Sequence, residues 1–186
     1  IKLESVLQQE QPDIVLAQGD TNTVVASALA ASHLQIPFGH IESGLRSYDR
    51  TMPEENNRIV ADQLSSFLFA VTKNQQEILR GEGVPSNKIF VIGNTITDAV
   101  EQHILQTNDV EVLKQLELRA KNFYLVTIHR ASNVDSKEAL TKILTVFENV
   151  YEKYKTKLVW PIHPRTQKKL EEFGLKPEDL QTEEQV

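Results

Sequence analysis

The sequence predicts an α/β protein of Rossmann-like, doubly wound parallel sheets, and three observations predict it. Six short apolar runs recur along the chain, helix-period segments fill the gaps between them, and the two alternate, strand then helix. A short, nearly continuous apolar strand is one buried on both faces, which is the condition of a parallel sheet layered between helices.

In chain order, the opening IKLESVLQQE has the spacing of an amphipathic helix, read as part of a longer polypeptide. The first strand is expected at DIVLAQ (13–18), then a helix over 22–34 and a strand at PFGHI (37–41). A helix over 54–65 precedes FLFAV (67–71), and one over 74–83 precedes IFVI (89–92). A longer, polar, helical passage over 94–120, including a helix over 96–106, separates these four strands from the remaining two. It reads as an interdomain connection. Residues 1–94 are therefore expected to be part of one Rossmann-like domain, and 95–186 the connection and part of a second. That second part holds FYLVTI (123–128), a helix ending at 154, LVWPI (158–162) and a helix over 166–174. The terminal KPEDLQTEEQV loses apolar periodicity, and no internal repeat or low-complexity segment is found.

The totals exclude several classes of function. Among 186 residues, 20 Lys and Arg stand against 26 Asp and Glu, a net charge of −6 that argues against a general nucleic-acid binder. The absence of cysteine excludes disulfides, Cys-ligated zinc, iron–sulfur clusters and thiol nucleophiles, and fits a cytoplasmic setting. No apolar run reaches the roughly 20 residues that cross a bilayer, and the opening residues do not have the pattern of a signal peptide. No membrane partner is expected.

Ligands of open parallel sheets bind beyond the carboxyl ends of the strands. Four such ends carry ionisable clusters: QGDT with Asp20, HIESGLR with His40, Glu42 and Arg46, IHRASN with His129 and Arg130, and IHPRT with His163 and Arg165. Polar strand-to-helix loops are ordinary, and Asp20 ahead of TNTVV could equally be a helix cap. Glu42 is harder to explain structurally. It follows a buried strand, where desolvation would bring a carboxyl toward working range.

TMPEENNR offers a capping box from Thr51 to Glu54, with Pro53 in the first turn and Glu54 four residues before Arg58. The same acid beside two other strand-end acids would also suit a site with carboxyls of unequal pKa. The two IH junctions place cationic donors where helix N-termini also point, a setting for phosphate. His33 and His103 fall within helices and are read as structural. Walker A, GxGxxG, GxSxG and HExxH patterns are all missing. HIE (40–42) lacks a third ligand, so no metal is expected.

Taken together and in order, QGDT, GHIESGLRS, MPEENNR, VIGNTITDA, VTIHRASN and PIHPRT resemble the non-hydrolysing UDP-N-acetylglucosamine 2-epimerases, over residues 12 to about 170. PEENNR after the acidic loop is the most specific part. The resemblance implies a two-domain glycosyltransferase-B-like architecture, here partial, lacking a GTRPE-like loop at the N-terminal side and a Ser/Gly-rich nucleotide loop at the C-terminal side. It implies reversible conversion of UDP-N-acetylglucosamine (UDP-GlcNAc) to UDP-N-acetylmannosamine (UDP-ManNAc) by anti elimination of UDP and re-addition, with no cofactor. Asp20, Glu42 and Glu54 match the family's acidic catalytic positions and His129 its catalytic-site histidine. Arg130 and His163 match positions linked to UDP or to an activating UDP-GlcNAc, and Arg46, Arg58 and Arg165 complete the expected substrate- and nucleotide-binding set. A homodimer serving cell-surface polysaccharide synthesis is implied. Glycosyl transfer on the same fold, hydrolytic release of UDP, and UDP-sugar binding without chemistry stand as alternatives.

Overall fold

The computed structural model of the chain describes residues 2–104 and 110–175. It forms two compact units, Ile1–Gln106 and Thr107–Val186. The expected tail KPEDLQTEEQV and the end of the helix expected over 96–106 lie outside the described residues.

The first unit opens with α1 (Lys2–Glu10), followed by β1 (Val15–Gln18), α2 (Asn22–His33), β2 (Phe38–Ser43), α3 (Pro53–Leu64), β3 (Phe67–Ala70), α4 (Lys73–Gly81) and β4 (Ile89–Val91). The four strands are parallel, in the order β1-β2-β3-β4. In register, Val15 lies beside Phe38, Gly39 beside Phe67 and Leu68 beside Ile89. Right-handed crossovers that always step the same way lay their helices on one face of the sheet. The packing follows that rule. Val24, Ala28 and Ala31 of α2 and Ala61 of α3 close on Val15, Ala17 and Phe38, while Leu79 of α4 closes on Leu68, Ala70 and Ile89.

The opposite face of these four strands is less covered. Ile14, Leu16, Phe67 and Phe90 on that face are 37–54% exposed. The four described strands of this unit follow one another in a single direction from β1.

Helix α5 (Thr95–Ile104) belongs to this first unit, so the division falls later than the expected 94/95 boundary. Thr95 at its start accepts a hydrogen bond from Gln18 Nε2 at 3.1 Å, which ties the helix to the end of β1. His33 bonds Glu4 at 2.7 Å and joins α2 to α1.

The expected Thr51–Glu54 capping box does not form. Helix α3 begins at Pro53 after an extended Met52 with no side-chain cap. Thr51 Oγ1 instead donates to Asp49 Oδ1 at 2.6 Å, and the two Thr51 hydrogen bonds hold the Asp49 carboxyl below its usual range. With Pro at the first helical position, one orphan N–H is already removed, and the loop turns on Asp49 rather than on a cap.

Gly44, just after β2, has φ +80°, and a Cβ there would meet Gln75 O at 2.8 Å and Leu79 Cγ at 3.0 Å. Gly44→Ala combines left-handed strain with overpacking, so a loss of about 2–4 kcal/mol is expected in urea unfolding. An unchanged midpoint would contradict that packing.

The second unit holds α6 (Val110–Gln115), β5 (Phe123–Leu125), α7 (Ala131–Val134), α8 (Lys137–Tyr154), β6 (Lys157–Val159) and α9 (Pro164–Phe173). β5 and β6 pair in parallel, Phe123 beside Lys157. Both strands are shorter than the apolar runs suggest, because the residues beyond them, Val126, Ile128, Trp160 and Ile162, pack into the core as loop. That core is Val134, Leu140, Leu144, Phe147, Leu158 and Leu170. No helix among the described residues is long and apolar enough to cross a membrane.

Candidate functional site

In the first unit the site is built at the carboxyl ends of β1 and β2. Gly19 follows β1 at φ +83°, and its N–H donates to Ile41 O at 3.1 Å, locking the two strand ends together. Glu42 occupies a register shift between Ile41 and Ser43 and has φ +68°. A non-glycine residue in left-handed conformation costs about 1–2 kcal/mol, and strain of this sort persists where surroundings over-determine it. The carboxylate is turned toward β1: Gln18 Nε2 donates to Glu42 Oε1 at 3.2 Å, and Glu42 Oε2 lies 3.8 Å from the position a Gly19 Cβ would take. A Cβ at position 19 would make only ordinary van der Waals contact with the acid, so it is the positive φ that calls for glycine there.

Asp20 is not a helix cap; Thr21 is the residue ahead of α2, and it makes no side-chain cap bond. The Asp20 carboxylate faces α3 instead, where Arg58 Nη2 meets Oδ2 at 2.5 Å. Asn57 Nδ2 donates to the Asp20 carbonyl at 2.9 Å. Asp20 and Glu42 are thus brought to adjoining strand ends, with Gln18 and Gly19 between them. Glu54 is exposed on the first turn of α3, the helix whose next turn supplies Asn57 and Arg58 to Asp20.

Two expectations change on this geometry. The Glu54–Arg58 pair does not form, because Arg58 Nη1 takes the neighbouring Glu55 at 3.0 Å. Arg46 is not a free cation for a nucleotide: its side chain is 1% exposed, Nε and Nη2 bond Glu82, Nη2 also meets Asp62 at 2.7 Å, and Nη1 donates to Leu45 O. Burial alone would lower its pKa, but hydrogen bonding to Glu82 and the charge of Asp62 raise it further above the ordinary range. Arg46 serves the framework. Arg58 likewise spends its guanidinium on Asp20 and Glu55.

Three residues outside the expected set shape the site. Glu55, 1% exposed, accepts from Ser47 N at 2.8 Å, Ser47 Oγ at 3.0 Å and Tyr48 N at 3.0 Å, folding the acidic loop onto α3. His40, fully buried, joins Asp62 at 2.6 Å and Gly19 O at 2.7 Å. Asp62 lies two helical turns from Glu55, so a pair of acids at i and i+7, which share one face of the helix, was the available sequence signal. Ser43 Oγ is buried without a hydrogen-bond partner among the described residues. Ser43→Ala removes that orphan hydroxyl, and a gain of about 1 kcal/mol in thermal unfolding is expected; a loss would reveal a partner for it.

In the second unit, His129 and His163 come together, their ring centroids 5.5 Å apart and 32° from parallel. Arg130 precedes α7 and His163 precedes α9, each as the residue before the helix. His163 Nδ1 accepts the Arg165 N–H at 3.2 Å, so the ring proton sits on Nε2 and is available to donate. Thr166 Oγ1 donates to Ile128 O at 3.0 Å and fastens the loop after β5 to the first turn of α9. Arg165 is partly neutralised by Asp135, which takes Nε at 3.2 Å and Nη2 at 2.6 Å. His129 and His163 therefore meet at one edge, with Arg130 beside His129 in the chain. Among the described residues no three His, Cys, Asp or Glu side chains gather as a metal would require.

The sequence matches the family model described as UDP-N-acetylglucosamine 2-epimerase over residues 1–184. The chain belongs to the UDP-N-acetylglucosamine 2-epimerase family. A UDP-N-acetylglucosamine 2-epimerase of Methanococcus maripaludis is 50% identical over 178 residues, 94% of this chain and 49% of that protein. The crystal structure of Methanocaldococcus jannaschii UDP-GlcNAc 2-epimerase in complex with UDP-GlcNAc and UDP is 44% identical, with a TM-score of 0.89 over all of this chain and 52% of that one. A UDP-2,3-diacetamido-2,3-dideoxy-D-glucuronate 2-epimerase of Pseudomonas aeruginosa is 38% identical over 181 residues, 96% of this chain and 49% of that protein. The chain spans about half the length of the curated relatives it matches. The expected fold class, α/β with parallel sheets and glycosyltransferase-B-like, is that of these epimerase structures.

Proposed function

We propose that the protein carrying this chain interconverts UDP-GlcNAc and UDP-ManNAc, with the strand-end acids of the first unit moving the proton at C2 of the sugar. The observation that carries this reading is the placement of Glu42 and Asp20 on adjoining strand ends, Glu42 held in a strained bulge with its carboxylate turned across Gly19. A C2 hydrogen is weakly acidic, and its removal needs a carboxylate fixed at the carbon. In the elimination the C2 proton passes to the carboxylate, the C1=C2 bond forms, and the C1–O bond breaks with its electron pair leaving on UDP. The reverse step delivers a proton to the other face of C2 while the UDP oxygen re-adds at C1. Two faces need two acids: Glu42 is one, and Asp20 and Glu54 are the candidates for the other.

His129, Arg130 and His163 suit the departing diphosphate, where positive charge and donors stabilise the developing anion. His129 has the role of a catalytic-site histidine in this reading, and Arg165, shared with Asp135, a lesser one. No redox cofactor is required on this route, because neither elimination nor re-addition passes through an oxidised intermediate. A homodimer, a cytoplasmic setting and activation by a second UDP-GlcNAc belong to the same proposal.

Incubation of the full-length protein with UDP-GlcNAc, followed by proton NMR, tests it. UDP-ManNAc with its nucleotide intact is the expected product. Release of free ManNAc would assign the protein to hydrolysis, and binding of UDP-GlcNAc without conversion would replace the proposal with a binding role. Turnover confined to a diacetamido uronate substrate would keep C2 epimerisation but move the substrate toward that of the Pseudomonas relative.

A further inference from the structure

We propose that the buried His40–Asp62 pair is a positioning device for Glu42, holding it in its left-handed bulge. The inference rests on the role given to Glu42 above and adds how that role is enforced.

The bulge is fastened on both flanks. Ahead of Glu42, the His40 ring spans from strand to helix: Nε2 lies 2.7 Å from the Gly19 carbonyl and Nδ1 2.6 Å from Asp62 Oδ1. After Glu42, the Gly44 N–H donates to the other Asp62 oxygen at 3.2 Å. One carboxylate on α3 therefore holds positions two before and two after the strained residue. The Gly19 N–H, donated to Ile41 O at 3.1 Å, closes the circuit back to β1. Removing any link lets the backbone at 42 relax toward an ordinary strand conformation, and a period-two strand would then turn the Glu42 side chain to the other face.

Both ring nitrogens of His40 face acceptors, a carbonyl and a carboxylate. Asp62 is further gripped by Arg46, itself held by Glu82 of the α4 end. His40, Asp62 and the Arg46 side chain are each 0–1% exposed. A buried ionic cluster of this kind is a weak source of net stability, since desolvation offsets most of the attraction. As a geometric constraint it is strong, because every member is satisfied and none can rotate without orphaning another. Among the described residues neither His40 nor Asp62 hydrogen-bonds the side chain of Asp20 or Glu42, so the pair acts through the backbone.

The test uses the full-length protein and the variants His40→Gln, His40→Leu and Asp62→Asn, each also combined with Glu42→Gln. Displacement of a catalytic group by about 1 Å costs on the order of 100-fold in rate. His40→Gln and Asp62→Asn are expected to lower kcat roughly 10- to 100-fold with KM for UDP-GlcNAc within about twofold, His40→Gln retaining more activity than His40→Leu because it keeps one donor for Gly19. Added to Glu42→Gln, none of them lowers the residual rate further, since the group they position is gone. A loss that multiplies with that of Glu42→Gln, or a rise in KM at unchanged kcat, overturns the proposal. Should His40→Leu fail to fold, His40→Gln decides. Should the unaltered protein not epimerise at all, the functional reading fails by itself. The positioning claim is then read from a crystal structure of His40→Gln: Glu42 leaves positive φ if the claim holds, and stays near its present conformation if it does not.

Discussion

Glu42→Gln lowers kcat for epimerisation by about 10²- to 10⁴-fold, the span of a lost general base, while KM for UDP-GlcNAc and the melting temperature stay close to those of the unaltered protein. Glutamine is isosteric with glutamate and reaches Gln18 with its amide oxygen, so the 3.2 Å contact to Gln18 Nε2 survives. The strained backbone at position 42 is fixed by its neighbours rather than by its own carboxylate, so the fold has no reason to change. What disappears is the only function the amide cannot perform, taking and returning a proton. A fall in KM-controlled binding without a fall in kcat would mean that Glu42 holds the sugar rather than reacts with it.

Glu55→Ala has the opposite signature, a loss of about 3–5 kcal/mol in folding stability, as when one partner of a buried charged pair is removed. The residue gathers two backbone N–H groups, the Ser47 hydroxyl and Arg58 around one buried carboxylate. Its removal frees the loop over residues 47–52 and leaves Arg58 with Asp20 alone. Burial by itself would raise the Glu55 pKa, but the Ser47 and Tyr48 hydrogen bonds and the Arg58 charge outweigh it and leave the folded value below the usual 4.5. The sign follows by linkage: a carboxyl depressed on folding contributes stability that is fully present above its unfolded pKa and is lost as pH falls through the folded one. Urea midpoints of the unaltered protein should therefore drop below about pH 4.5, and Glu55→Gln should remove this component of the slope. A variant with unaltered stability and unaltered acid slope would remove Glu55 from the framework.

The contrast between Glu54 and Glu55 shows where sequence reasoning stops. Adjacent residues on a helix differ by about 100° in direction, and EE after proline does not say which acid faces inward. The structure buries Glu55 and exposes Glu54 because Pro53 is the first helical residue and Met52 remains extended. Arg46 escaped for a related reason. The left-handed turn at Gly44 sends the chain back beneath α3 and α4, so a cation that follows an acidic strand end in sequence ends inside the protein.

What was legible came from strand ends. Apolar runs placed the four strands of the first unit to within a few residues, and the polar residues just past them, Asp20 and Glu42, do adjoin. The paired IH junctions likewise bring His129 to His163, because β5 and β6 are parallel neighbours and their ends lie side by side. Strand order was not legible. Alternation of strand and helix is the same whether a sheet winds one way or two, and only the pairing β1-β2-β3-β4 reveals that all described crossovers of the first unit step in one direction.

The most direct measurement is conversion of UDP-GlcNAc by the full-length protein in deuterium oxide, read by NMR at C2 of the sugar. Deuterium is expected at C2 of UDP-ManNAc and, with time, of the recovered UDP-GlcNAc, because the proton that leaves on a carboxylate exchanges with solvent before another returns. Epimerisation that keeps the original C2 hydrogen would contradict it.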